Sequence, residues 1–259
     1  MKKIIRIVCI LLLICSVGYM GIHFYNVNKA DDLYEEIKEE AQVKKEEESS
    51  LQAVIEETIE VIEEKFVDIP IDFEALWEQN DEIYAWITIP GTKVDYPILQ
   101  RPEDDTYYLD HTVDGTQGLP GSIYTESVHA QDFSESNTVI YGHNMRDDSM
   151  FGSLHDYEKA DFFKENRDII IYTPEHILNY KIFAAVTYSD AYIPFSYDFT
   201  TDEGYQSFLD SIYESKNMTN QFADDVEVTT NDRIITLSTC VGNQPNKRYL
   251  VLAVLVDEQ

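Results

Sequence analysis

Two runs near the C-terminal end, residues 233–240 and 248–256, are almost unbroken series of β-branched and apolar side chains. Each is short and bounded by turn formers, which predicts a strand in both places. The polar segment between them, residues 241–247, contains Gly242 and Pro245 and reads as a loop. A hairpin built this way puts Cys240 at the end of one strand and Arg248 at the start of the next. A thiol and a guanidinium then share one rim of a sheet.

The rest of the chain supplies more of the same material. Residues 83–89 alternate as a strand, Pro90-Gly91 turns, and residues 94–99 return. Shorter strands are predicted at 122–124 and 137–141, the second ending at Gly142-His143-Asn144, with the glycine allowing a sharp turn of the backbone. Residues 168–172 and 177–188 read as a hairpin around Thr173-Pro174-Glu175-His176. Helical spacing marks residues 73–80, a turn at 106–109, one or two helices in 151–166, and a helix over 202–216 with Tyr205, Phe208, Leu209 and Ile212 on one face. About eight short strands with a few helices between them predict a closed or nearly closed β-barrel.

The first seventy residues are of another kind. Lys2, Lys3 and Arg6 precede an apolar run over residues 7–25, 19 residues long and strongly polar only at His23. That is close to the roughly 20 needed to cross a bilayer as a helix. Basic residues before it and acidic ones after it place the N-terminus inside and the remainder outside. No small-x-small cleavage site follows, which favours an uncleaved anchor over a removed signal peptide. Residues 31–66 are acidic, lack Gly and Pro, and repeat Leu51, Val54, Ile55, Thr58, Ile62 and Phe66 at helical spacing. The expected organisation is a cytoplasmic tip and anchor over 1–30, an acidic helical linker or docking helix over 31–70, and an extracytoplasmic domain over 71–259.

Charge narrows the partners. The formal net charge is −30, which repels nucleic acid and anionic head groups, so a nucleic-acid function is excluded as a working reading. Of three cysteines, Cys9 and Cys15 fall in the apolar run, leaving Cys240 alone in the outer domain. Extracytoplasmic proteins pair their cysteines, so a single one there points to a reactive thiol; a buried inert thiol is the plain rival. Such a nucleophile needs a base or a lowered pKa, because only the thiolate attacks. Among six histidines, His111, His129 and His176 lie in polar loops and read as surface residues. His155 sits in a helical stretch and reads as packed. His143 closes an apolar strand and is the candidate partner of Cys240. Arg248 suits a developing oxyanion, although in so acidic a chain it also suits a surface carboxylate.

Thr236-Leu237-Ser238-Thr239-Cys240 with Arg248 on the following strand resembles the signature of the sortases, and Thr138-Val139-Ile140-Tyr141-Gly142-His143-Asn144 resembles their histidine segment. Class B is suggested by Trp86-Ile87-Thr88-Ile89-Pro90-Gly91-Thr92-Lys93-Val94-Asp95-Tyr96-Pro97-Ile98, by Met150-Phe151-Gly152-Ser153-Leu154, and by a helix between the sixth and seventh strands. The similarity runs from about residue 73 to 256. It implies a closed eight-stranded β-barrel with N-terminal helices. It also implies a transpeptidase in which Cys240 attacks a threonine carbonyl of a C-terminal sorting motif, of the NP-x-T-x kind for class B. His143 serves as acid and base, Arg248 holds substrate and oxyanion, and no cofactor or metal is needed.

The implied partners are secreted proteins bearing the sorting signal and an amine of the peptidoglycan precursor lipid II, at the cell surface of a Gram-positive organism. By the same resemblance Ser238, Thr239, Tyr141, Leu109, Tyr192 and Ile193 line the substrate groove. Asp105 stands where the class commonly has asparagine, and an ionised carboxylate only accepts hydrogen bonds, which alters recognition of the motif's first residue. The apolar Val241 after the nucleophile supplies no acidic third member. A pilin-polymerising sortase using a lysine amine, and a non-catalytic binding domain on the same barrel, are the alternatives at this level.

Overall fold

The computed structural model describes residues 67–259. The expected anchor and acidic linker, residues 1–66, lie outside the described residues. Among the described residues no helix is long and apolar enough to cross a membrane.

Nine strands are described: β1 (Ile83–Thr88), β2 (Asp95–Leu99), β3 (Ile123–Tyr124), β4 (Asn137–Tyr141), β5 (Asp168–Tyr172), β6 (Ile177–Ser189), β7 (Gln221–Phe222), β8 (Ile234–Val241) and β9 (Gln244–Glu258). Their order is β5-β1-β2-β3-β4-β8-β9-β6, and β6 pairs back with β5, so eight strands close a barrel and β7 hangs on β6. Two pairs are parallel, β2 with β3 and β4 with β8; the others are antiparallel. The closed eight-stranded barrel expected from the sequence is what forms.

The apolar runs have a physical cause in this architecture. Along β9, Tyr249, Val251 and Ala253 enter the barrel interior, whereas Leu250, Leu252 and Val254 face a second core outside it. That outer core is roofed by α4 (Asp202–Tyr213), which contributes Tyr205, Phe208, Leu209 and Ile212 from one face. Thr201 caps it, its hydroxyl accepting from Gly204 N at 3.2 Å. Each large apolar side chain buried here is worth roughly 1.5–3 kcal/mol. Strands buried on both faces read as continuous apolar runs instead of alternating ones.

Smaller elements complete the shell. Helix α1 (Phe73–Trp77) starts at Asp72, whose carboxylate accepts from Ala75 N at 3.0 Å. A 3₁₀ turn spans Tyr107–Leu109, a second 3₁₀ helix spans Gly152–Glu158, and α2 (Ala160–Glu165) follows it. Two elements escape the sequence reading: β7, and α3 (Ile193–Ser196). The expected loop over 241–247 is also shorter than predicted. β8 runs through Val241 and β9 begins at Gln244, so only Gly242 and Asn243 turn. The register jumps from Cys240↔Arg248 to Val241↔Gln244, and Pro245, Asn246 and Lys247 form the bulge.

Candidate active site

The ladder decides where the candidate side chains point. Residues alternate across a strand, and Ile235 and Leu237 of β8, Ile140 of β4 and Tyr249 of β9 all face the interior. Ser238 and Cys240, Tyr141 and His143, and Arg248 have the opposite parity, so they share the outer face at one rim. β4 and β8 run in the same direction, which brings His143 and Cys240 to the same end. Ser238 gives its carbonyl to Gly142 N at 3.2 Å, so the main-chain groups of residues 238 and 240 point toward β4. Cys240↔Arg248 is then a non-hydrogen-bonded cross-strand pair, the kind whose Cα atoms approach to about 4.5 Å and whose side chains lie closest.

Cys240 is a free, exposed thiol. Arg248 Nη1 donates to Pro245 O and Lys247 O, both at 3.0 Å, so the bulge holds the guanidinium. No carboxylate ion pair engages it among the described residues, which removes the simple ion-pair explanation for this arginine. His143 Nε2 lies 2.6 Å from Leu109 O. A carbonyl only accepts, so Nε2 carries the proton and Nδ1 is left free in this arrangement. Thr239 is buried and its hydroxyl donates to Gly142 O at 2.7 Å. That single bond ties the residue before the thiol to the residue before the imidazole.

Gly142 itself corrects an expectation. It has no positive φ, so the turn does not require glycine. A Cβ there would fall 2.5 Å from Ile123 Cδ1 and 2.7 Å from the Phe151 ring; the position is glycine because the core leaves no room.

The flanking candidates divide. Tyr141 stacks on Tyr124 at 5.4 Å. Tyr192 is exposed, stacks on Phe195 at 5.2 Å, and donates its hydroxyl to the Glu126 carboxylate. Asp105 accepts from Ser127 N at 2.6 Å, which brings it to the same segment. Burial holds the Glu126 carboxyl above the usual carboxylate range; Asp105 pushes the same way and the Tyr192 hydrogen bond opposes. Burial also raises the Tyr141 hydroxyl, with Glu126 next in effect. Leu109 is exposed, whereas Ile193 is 4% exposed and packs in the outer core. Ser238, two residues before the thiol on the same strand, is buried.

Among the histidines, His129 is a second correction: expected at the surface, it is 7% exposed. Glu135 accepts from its Nδ1 at 2.8 Å, and its Nε2 accepts from Val139 N at 3.3 Å. The loop before β4 is pinned to that strand by this pair. The sequence reading took His155 as packed, and it does stack on Tyr249 at 4.8 Å, but that reading named neither Glu158 nor a link to Cys240. The i, i+3 spacing of His155 and Glu158 on a helical turn was the available signal; His155 Nε2 lies 3.0 Å from Cys240 O, and Glu158 holds the other ring nitrogen.

A family model described as "Sortase domain" matches residues 87–256. The sortase B of Listeria monocytogenes is 34% identical over 169 residues, which span 64% of this chain and 65% of that protein. The sortase B of Staphylococcus aureus is 34% identical over 188 residues, 71% of this chain and 74% of that protein. Among solved structures, the Staphylococcus aureus sortase B–substrate complex superposes with a TM-score of 0.64 at 28% identity, covering 83% of this chain and 98% of that one.

Proposed function

The chain belongs to the sortase family, with class B sortases as its relatives, and from that premise we propose that it is a cysteine transpeptidase acting on C-terminal sorting signals. Cys240 Sγ, its proton passed to His143 Nδ1, attacks the carbonyl carbon of the motif's threonine as thiolate. The resulting oxyanion is met by the Arg248 guanidinium, a rigid fork of permanent charge. Collapse breaks the C–N bond, and His143 delivers a proton to the departing amine. A thioester remains on Cys240. His143 then takes a proton from an incoming amine, which attacks the thioester carbonyl, and the C–S bond breaks to return the thiolate.

The observation that carries this reading is the cross-strand pairing of Cys240 with Arg248 beside the Thr239–Gly142 bond. It fits a nucleophile, a cation and an imidazole on one outward face, an arrangement a binding module does not need. The motif is of the NP-x-T-x kind, the acceptor a peptidoglycan precursor amine, and the protein is tethered by residues 7–25 at the outer face of the cell membrane. The groove runs past Leu109, Tyr141 and Tyr192, with Asp105 at its far rim.

Mass spectrometry of the protein mixed with NP-x-T-x and LP-x-T-x peptides tests this. The expected result is a mass gain with the NP-x-T-x set alone, absent in Cys240→Ala and chased off by added amine. Cleavage in Cys240→Ala, or no adduct with either set, would overturn it.

A further inference from the structure

The strand end that carries the thiol departs from the ladder it belongs to. β4 and β8 are parallel, and Gly142 N donates to Ser238 O. One repeat further, the N–H of residue 144 would serve the carbonyl of residue 240. The main chain does not continue that way. Asn144 instead bridges Met150, and Phe151 N donates to His143 O at 3.0 Å. The Cys240 carbonyl, aimed toward β4, is left for side chains.

Three side chains answer it in series. Asn144 Nδ2 donates to Cys240 O at 2.9 Å and lies 3.0 Å from His155 Nε2. His155 Nε2 is itself 3.0 Å from the same carbonyl. On the other side of the ring, Nδ1 is 2.7 Å from Glu158 Oε1. A carboxylate only accepts, so Nδ1 carries a proton. Without a second proton, Nε2 accepts from one Asn144 N–H while the other serves Cys240; with it, Nε2 donates to the carbonyl directly. In both states the imidazole is committed to the nucleophile's main chain. Its ring stacks on Tyr249 at 4.8 Å, a residue of the interior set, so it supports the strand from the face opposite the thiol.

We propose that His155, fixed by Glu158, is a positioning residue for Cys240, replacing through Asn144 the ladder bond that the turn after β4 removes. It touches no reacting atom; it sets the strand end from which the thiol projects.

His155→Phe keeps a ring on Tyr249 and removes both hydrogen bonds. In the full-length chain it should speed amide hydrogen exchange across residues 239–241 about tenfold, the equivalent of one hydrogen bond of about 1.4 kcal/mol. Turnover of a sorting peptide should fall about tenfold in kcat with KM held, and His155→Gln, whose amide can donate to the carbonyl, should recover most of both. Glu158→Gln, at a partly exposed side chain, is the gentler probe and should move exchange in the same direction. Asn144→Ala combined with His155→Phe should cost no more than the larger single change, because the two act as one unit. Unchanged exchange in His155→Phe, faster exchange with unchanged kcat, additive losses, or no recovery in His155→Gln would each overturn the proposal. If no sorting peptide is turned over by the parent chain, the exchange measurement decides alone, which separates this inference from the activity.

Discussion

Two valine substitutions make the same chemical change in one stretch of sheet and should move stability in opposite directions. Thr239 and Thr138 are both buried β-branched residues, 2% and 1% exposed. Valine preserves their shape and strand preference, so only the hydroxyl is lost. The Thr239 hydroxyl holds Gly142 O at 2.7 Å; the Thr138 hydroxyl is buried with no partner among the described residues. Removing the first forfeits a hydrogen bond and strands a half-buried carbonyl, a loss of about 1–2 kcal/mol. Removing the second relieves a desolvated polar group and should be neutral or stabilise by about 1 kcal/mol. For a domain of this size each kcal/mol moves Tm by roughly 2–4 °C. Urea denaturation at fixed pH, with the slope checked for constancy, measures both. Thr239→Val should also lower kcat, since the lost bond couples the ends of β4 and β8, and Thr239→Ser should restore it. Equal destabilisation by both valines, or a Thr239→Val enzyme with parental stability and kcat, would refute the reasoning.

Further outcomes follow from the same geometry. Arg248→Lys replaces a planar fork held by Pro245 O and Lys247 O with a mobile point charge; kcat should fall by about 10²-fold, the scale of one lost oxyanion donor, with the melting curve unchanged. Gly142→Ala should destabilise by about 1–3 kcal/mol through overpacking against Ile123 and Phe151, read by the same denaturation. Glu126 has a raised folded pKa, so the native state binds its proton more tightly than the unfolded chain; stability therefore falls as pH rises from the ordinary carboxylate range through the folded value, and is constant above it. Glu126→Gln should flatten that segment of the stability–pH curve and be neutral or stabilising at pH 7.

Much of this was legible because strands announce themselves locally. The run before Cys240 and the strand before His143 gave the rim and its two chemical groups. The Cys240–Arg248 pairing followed from one hairpin. What escaped depends on how loops and neighbouring elements pack in three dimensions. Glu135, six residues away in sequence, folds back to bury His129, and no local pattern distinguishes that loop from a solvated one. Ile193 sits in a polar, tyrosine-rich stretch beside exposed Tyr192, yet it belongs to the outer core because α3 turns it inward. Gly142 looked like a hinge, since a glycine excluded by packing and a glycine required by φ read identically as a letter. The bulge after Cys240 hid Pro245 and Asn246 inside what is formally a strand.

The parallel pairing of β4 with β8 also sets a timetable. The Thr239–Gly142 bond joins residues 97 apart in sequence, and β8 cannot be enclosed until β9 has inserted between it and β6. Synthesis runs from the N-terminus, so His143 and six of the eight barrel strands exist before Cys240 and Arg248 do. The thiol and the guanidinium are therefore the last of these groups to be set in place, when β8 and β9 close the barrel between β4 and β6.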